Sequence, residues 1–135
     1  MVEKPLVLIV DDEAVLTTAL AHLLGRQGDI EVVTANDGQQ GLALAIERKP
    51  ALVMLDVMMP QVDGYTACKT IREAWADHAG LIWVVTGRSS GADVDQAKSA
   101  GADRLVPKPF GAKQIVDEVK EALSLSNWAA GAGGA

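Results

Sequence analysis

Five short segments that favour β-strands alternate along this chain with five segments that favour α-helices. The segments with strand character are residues 6–10, 31–35, 52–55, 81–85 and 104–107. Successive strands joined through a helix run parallel, because the helix returns the chain to the end of the sheet where the previous strand began. The alternation therefore restricts the fold to a parallel sheet whose two faces are both covered by helices.

The way the strands are connected narrows the topology further. Crossovers between parallel strands are right-handed, which leaves few arrangements of five strands. We predict an α/β fold with a doubly wound, five-stranded parallel sheet in the flavodoxin-like order 2-1-3-4-5. Ligands of such sheets bind at the carboxyl edge, at the point where the chain switches direction, here between strands one and three.

The helical segments differ in how strongly their inner faces can be anchored. Inward-facing positions are predicted at Leu16, Leu20, Leu23 and Leu24 in the first helix, Leu42, Ala45 and Ile46 in the second, Tyr65, Cys68, Ile71, Arg72 and Trp75 in the third, and Ile115, Val119 and Leu123 in the last. Asp12 precedes the first helix and is a candidate N-cap. The fourth helix, residues 92–100, has a mostly alanine inner face, so we expect it to shift most easily.

Length and composition exclude several classes of protein. The 135 residues, 49% of them hydrophobic, are enough for one domain, predicted at 1–125 with a flexible tail or linker stub at 126–135. A net charge of −6 argues against direct nucleic-acid binding. No apolar run approaches the ~20 residues that span a membrane, and no signal-peptide pattern is visible. We therefore expect a cytoplasmic protein, without an internal disulfide because Cys68 is the single cysteine.

Polar residues follow four of the five predicted strands. They are Asp11 and Asp12, Asp56, Thr86, and Lys108. Because parallel strands end at the same edge, and strands one and three are neighbours in the predicted order, the three carboxylates should meet there. Like charges at such a distance repel and raise one another's pKa values. A divalent cation relieves this repulsion, and oxygen ligands of this kind suit Mg²⁺.

The remaining two polar residues define the chemistry of the predicted site. Lys108 adds an ammonium group and Thr86 adds a hydroxyl donor beside the carboxylates. A carboxylate nucleophile among these groups is suited to accept a phosphoryl group, a reaction governed by positioning and charge neutralisation. Each residue alone is more typical of a helix cap, a strand end or a solvated surface. It is the complete set of carboxylates, threonine and lysine that predicts a phosphoryl-accepting site.

These segments resemble the receiver domain of two-component response regulators. The matching pieces are Val10-Asp11-Asp12-Glu13, Leu55-Asp56 with Met59-Pro60 and Asp63-Gly64, Val85-Thr86-Gly87, and Lys108-Pro109-Phe110. The resemblance runs from residue 6 to about residue 125. It implies a switch that takes a phosphoryl group from a histidine kinase or phosphotransfer protein and changes its interaction surface for a downstream protein.

The resemblance also implies a role for each site residue. Asp56 would be the phosphoacceptor. Thr86 would bond to the phosphoryl group, and Lys108 would form an ion pair with it. The ligands of Mg²⁺ would be Asp11, Asp12, Asp56 and the backbone carbonyl of Met58. A protein of this kind catalyses its own phosphorylation and dephosphorylation only.

Two local features qualify the resemblance. The Lys108–Pro109 bond is predicted to be cis, against the base rate for such bonds, because Lys108 must turn back toward Asp56 while Phe110 turns toward the last helix. Many receivers carry Tyr or Phe at the position of Leu105, where the ring changes rotamer on activation. We therefore expect a weaker side-chain relay in this chain.

Two alternative functions use the same residues differently. A Mg²⁺-dependent phosphohydrolase of the haloacid dehalogenase type also has an aspartate nucleophile, but it needs a second aspartate where this chain has Met58. An interaction module without phosphorylation would not need the complete set of acids, threonine and lysine. The sequence does not identify the cognate kinase or downstream partner, nor does it distinguish a free-standing regulator from a fragment.

Overall fold

The structure, a computed structural model, describes residues 4–26, 28–59 and 62–124. Within these ranges, no helix combines the length and apolar character that a bilayer crossing requires. The strands and helices are β1 Leu6–Val10, α1 Ala14–Gly25, β2 Glu31–Ala35, α2 Gly38–Arg48, β3 Leu52–Asp56, α3 Gly64–Ala74, β4 Leu81–Thr86, α4 Gly91–Ser99, β5 Arg104–Pro107 and α5 Ala112–Ser124. Pro60 and the predicted tail, 126–135, lie outside the described residues.

The five strands form one parallel sheet in the predicted order, β2-β1-β3-β4-β5. Val10, the last residue of β1, lies opposite Ala35 in β2 and opposite Leu55 in β3. The central strand is β3, and all five of its residues are buried. Since β1 and β3 are neighbours whose carboxyl ends are level, the acids that end the two strands lie side by side.

Alternate strand residues point to opposite faces of the sheet, where they form two apolar clusters. One cluster contains Leu8, Val10, Val53, Leu55, Ile82 and Val84, together with Ala45 of α2, Cys68 and Ile71 of α3, and Ala97 of α4. The other contains Val7, Ile9, Leu52, Met54, Trp83 and Val85, together with Leu20 and Leu24 of α1, and Ile115 and Val119 of α5. Three helices therefore cover one face and two cover the other, which confirms the doubly wound fold.

The inner face of α2 differs from the prediction. Ile46, expected to face inward, is exposed. The buried residues of this helix are small, namely Gly38, Gly41 and Ala45. A Cβ atom on Gly41 would lie 2.5 Å from Cγ1 of Val10. The small residues thus set the rotation of α2 because they allow its backbone to approach β1.

The start of α1 also differs from the prediction. Asp12 does not cap this helix, because the N-cap residue is Glu13, and its side chain makes no capping hydrogen bond. The backbone N–H of Glu13 donates instead to Oδ1 of Asp11, over 2.9 Å. The Asp12 carboxylate is left exposed at the carboxyl edge of the sheet.

Gly64 brings the start of α3 against the loop that follows β3. A Cβ atom at this position would lie 2.2 Å from Cα of Val57 and 2.6 Å from its Cβ. Asp63 caps the helix by accepting a hydrogen bond from the N–H of Tyr65 over 3.0 Å. The close approach of Gly64 therefore supports the backbone immediately after Asp56.

Candidate functional site

The predicted carboxylates come together at the carboxyl edge of the sheet. Asp11 and Asp12 follow β1, and Asp56 is the last residue of β3. One oxygen atom from each of the three lies within 4.8 Å of the other two. Asp11 and Asp56 are buried, at 3% and 4% exposure, whereas Asp12 is exposed. This acidic cluster could hold a metal ion with one side open to solvent.

The surroundings of Asp56 disfavour its negative charge. Burial raises the pKa of its carboxyl above the usual value. The hydrogen bond from the N–H of Met58 to Oδ1, at 2.9 Å, opposes this rise, and the Asp11 charge adds to it. Lys108 also opposes the rise. A cation bound among the carboxylates would remove the repulsion, so the donor set fits a hard divalent metal.

Lys108 reaches the cluster from the end of β5. Its Nζ atom lies 2.8 Å from Oδ2 of Asp11, 2.9 Å from Oε1 of Glu13 and 3.4 Å from Oδ2 of Asp56. The Lys108–Pro109 bond is cis, as predicted. Burial lowers the pKa of Lys108, but its hydrogen bonds to Asp11 and Glu13 together with the negative charges of Asp56 and Asp11 outweigh burial and raise it. The ammonium group therefore stays charged.

Thr86 ends β4, the other neighbour of β3 in the sheet. Its side chain is buried, and its Oγ1 accepts a hydrogen bond from the N–H of Arg88 over 3.0 Å. A hydroxyl that accepts one bond still has a proton to donate. The backbone oxygen of Thr86 accepts a hydrogen bond from the N–H of Lys108 over 2.8 Å, which links the ends of β4 and β5.

Two residues near the carboxylates were not predicted as site residues. Glu13 is the third carboxylate that contacts Lys108, and its signal in the sequence is its place directly after the aspartate pair. Asn36, which the sequence predicts only as part of a turn, donates from Nδ2 to the backbone oxygen of Asp11 over 2.9 Å and to Oγ1 of Thr17 over 3.1 Å. Asn36 thus links β2 and α1 to the start of the acidic cluster.

The arrangement has the parts that a phosphoryl acceptor needs and lacks one part of the hydrolase alternative. A buried carboxylate, an ammonium group and an open acidic cluster lie within a few ångströms of each other. Met58 follows Asp56 at the position where a hydrolase of the haloacid dehalogenase type would carry its second aspartate. The Met58 side chain, exposed at 53%, ends in a thioether that has no proton to donate, so it supplies no general acid.

Comparisons with known proteins agree with this geometry. A family model described as the response regulator receiver domain matches residues 7–120. The transcriptional regulatory protein CpxR of Klebsiella pneumoniae is 36% identical over 122 residues, which cover 90% of this chain and 50% of CpxR. The chain spans about half the length of this and similar relatives.

Solved structures share the architecture. A CheY-like receiver domain protein from Methanospirillum hungatei superposes with a TM-score of 0.81 at 24% identity, covering 90% of this chain and 95% of the other. The BeF3-activated receiver domain of DrrB, a protein of Thermotoga maritima, gives a TM-score of 0.75 at 28% identity, covering 90% and 99%. Because the first structure shares little sequence with this chain, the likeness to it concerns the fold alone. The DrrB domain is more similar in sequence.

Proposed function

Because the chain belongs to the response regulator receiver domain family, we propose that it is a signalling switch whose phosphoacceptor is Asp56. The observation that carries this assignment is the position of its carboxylate. Asp56 is buried at the end of the central strand, with Lys108 at 3.4 Å and the acidic residues of β1 beside it. The donor would be a phosphohistidine on a histidine kinase or a phosphotransfer protein.

The transfer is a nucleophilic substitution at phosphorus. A carboxylate oxygen of Asp56 forms the new P–O bond, while the P–N bond of the phosphohistidine breaks and its electron pair stays on the imidazole nitrogen. The Met58 N–H holds Oδ1 of Asp56, so Oδ2, which faces Lys108, is the oxygen oriented for attack. Positioning and charge neutralisation supply most of the rate in this class of reaction.

Residues of the acidic cluster would hold Mg²⁺. The proposed ligands are Asp11, Asp12, Asp56 and the backbone carbonyl of Met58. When bound there, the ion would neutralise charge for an anionic donor that would otherwise approach three carboxylates. The donor set supports this, because these oxygen ligands lie close together and one side of the cluster is exposed to solvent.

Once Asp56 carries the phosphoryl group, Thr86 and Lys108 would bond to its oxygen atoms. Phosphorylation adds negative charge and three strong acceptor oxygens in place of one carboxylate. The hydroxyl of Thr86 would turn toward the new acceptor, and its movement would reach the loop that leads into α4. α4 is anchored by few large apolar side chains, since Ala97 is the buried residue within it. A modest change at Thr86 could therefore shift its position.

The output is proposed to lie outside this chain. Residues 1–125 would form the receiver domain and residues 126–135 a tail or linker. The relative CpxR is a transcriptional regulatory protein about twice as long as the matched region. This chain carries a net charge of −6, so we expect it to act through a downstream protein and not through direct contact with nucleic acid.

Intact-mass measurement after incubation with acetyl phosphate and Mg²⁺ tests the assignment of Asp56. The wild-type protein should gain one phosphoryl group, and Asp56→Asn should gain none. Asp95→Asn is the matched control, because Asp95 is an exposed aspartate of α4. Full labelling of Asp56→Asn would contradict the proposal. Release of phosphate from excess donor without any stably labelled wild-type protein would favour the hydrolase alternative.

A further inference from the structure

We propose that Glu13 is a positioning residue that holds Lys108 at the mouth of the site and competes with Asp56 for its ammonium group. The inference rests on the proposed phosphoacceptor function. It assigns a regulatory contact to a residue that lies outside the acidic cluster of Asp11, Asp12 and Asp56. The contact restrains the lysine until a phosphoryl group at Asp56 draws it away.

The distances around Lys108 support the competition. Its Nζ atom is closer to Oδ2 of Asp11 and Oε1 of Glu13, at 2.8 and 2.9 Å, than to Oδ2 of Asp56, at 3.4 Å. A charge-assisted hydrogen bond to a carboxylate normally measures about 2.7–2.9 Å. The contact with Asp56 is therefore the weakest of the three, and the lysine is held mainly by the other two carboxylates.

Glu13 and Asp11 hold Lys108 in different ways. Asp11 is buried and belongs to the cluster that would share its oxygens with a bound cation. The Glu13 side chain is 63% exposed and approaches Nζ from the solvent side. Its backbone is fixed, because its N–H donates to Oδ1 of Asp11. Glu13 can thus keep its contact with Lys108 when the oxygens of Asp11 are engaged elsewhere.

The contact should lower the affinity of the site for a phosphoryl group. For Lys108 to approach a group on Asp56, it must give up its pair with Glu13, and the cost of breaking this pair opposes binding. Ion pairs with an exposed partner contribute little, so the effect is small. Removing the competitor should tighten binding of a phosphate mimic about two- to fivefold.

The test measures the dissociation constant of beryllofluoride at saturating Mg²⁺ by fluorine NMR. Glu13→Gln removes the charge, while Glu13→Asp keeps the charge but shortens the side chain by one methylene, so that it no longer reaches Lys108. Both variants should bind the mimic about two- to fivefold more tightly than wild type. Glu47→Gln, an exposed glutamate near the end of α2, is the control for net charge and should bind like wild type.

Placing Glu13→Gln in a Lys108→Met background tests whether Glu13 acts through the lysine. There the added substitution should leave the dissociation constant unchanged. If Lys108→Met binds too weakly for a ratio to be measured, Glu13→Asp decides alone.

Three results overturn the inference. The first is that Glu13→Gln binds the mimic like wild type or more weakly. The second is that Glu13→Asp matches wild type while Glu13→Gln binds more tightly, and the third is that the gain from Glu13→Gln persists without the lysine. In each case the wild-type protein still binds the mimic, so the proposed function stands. If the wild-type protein does not bind beryllofluoride at all, the proposed function and this inference both fall.

Discussion

Replacing Gly64 by alanine should destabilise the protein and disturb the site, even though alanine is the better helix former. Gly64 is the first residue of α3, directly after its N-cap Asp63. A Cβ atom here would lie 2.2 Å from Cα of Val57, a contact with backbone that no side-chain rotation can relieve. Val57 connects Asp56 to Met58, so a backbone shift would move the proposed phosphoacceptor and its hydrogen-bond donor.

The size of the effect follows from the distance that must be gained. The shortest ordinary contact for such a Cβ atom is 3.4 Å, so helix and loop must separate by more than 1 Å against a packed core. Overpacking of this kind costs about 1–3 kcal/mol of folding free energy. Because the clash involves backbone, we expect a loss of about 2–3 kcal/mol, in the upper part of that range.

Gly91→Ala is a matched control for this substitution. Gly91 is the first residue of α4, directly after its N-cap Ser90, and a Cβ atom there would meet nothing within 4 Å. Alanine at such a position should stabilise the protein by about 0.4–1 kcal/mol, because it reduces the freedom of the unfolded chain. The two variants make the same chemical change at equivalent helix positions, and the signs of their effects should be opposite.

Urea unfolding at 25 °C gives both free energies by linear extrapolation. Calorimetric titration with Mg²⁺ then reports whether the acidic cluster is intact, and Gly64→Ala should bind the ion more weakly than Gly91→Ala. The reasoning is refuted if both variants change stability in the same direction by similar amounts. Unchanged Mg²⁺ binding in a strongly destabilised Gly64→Ala would separate the packing of α3 from the geometry of the site.

Three further predictions concern the site itself. EDTA should stop labelling by acetyl phosphate, and labelling that persists in EDTA would show that phosphorylation needs no metal. Asp12→Ala should weaken Mg²⁺ binding, measured by calorimetry, more than it weakens folding. In EDTA, Asp56→Asn should stabilise the protein near neutral pH, because burial raises the folded-state pKa of this carboxyl above its ordinary 3.8. As the pH rises above that value, the native state binds more protons than the unfolded chain, so the stability of the wild-type protein falls with rising pH. The gain from Asp56→Asn should therefore disappear in acid. Urea unfolding at several pH values checks this, and a gain that is independent of pH would contradict it. Amide hydrogen exchange with and without beryllofluoride should change most in residues 86–100, an effect that Thr86→Ala should reduce and Leu105→Ala should leave largely intact; the reverse pattern would show that the relay runs through residue 105.

The sequence by itself determined the order of the strands and the edge at which the site lies. Apolar runs of strand length alternate with helical segments, and this pattern is local, so it can be recognised without knowing any partner. Connectivity and right-handed crossovers then place β1 beside β3. Asp11, Asp12 and Asp56 must meet in such a sheet, because the first two follow β1 and the third ends β3, and the positions of both strands are already determined.

Tertiary structure decided which long side chains pair with one another. Arg72 was predicted to face inward with apolar residues, and its guanidinium in fact donates to the backbone oxygens of Gly80 and Gly101, at 2.8 and 3.0 Å, and to Asp103 at 2.7 Å. These acceptors lie in two separate loops, and no local sequence pattern around Arg72 predicts them. The same holds for Asn36, whose acceptor is on a different strand end.

Tertiary structure also decides how closely the ammonium group of Lys108 approaches each of the carboxylates around it. The sequence places the lysine at the correct edge of the sheet, but it does not state that Asp11 and Glu13 hold it more closely than Asp56 does. The rotation of α2, with Ile46 outward and its small residues inward, is decided in the same way by contact with β1. A hydrophobic pattern specifies which face of an element is buried only to within about a residue. Distances of a few tenths of an ångström between remote groups depend on how all the elements pack together.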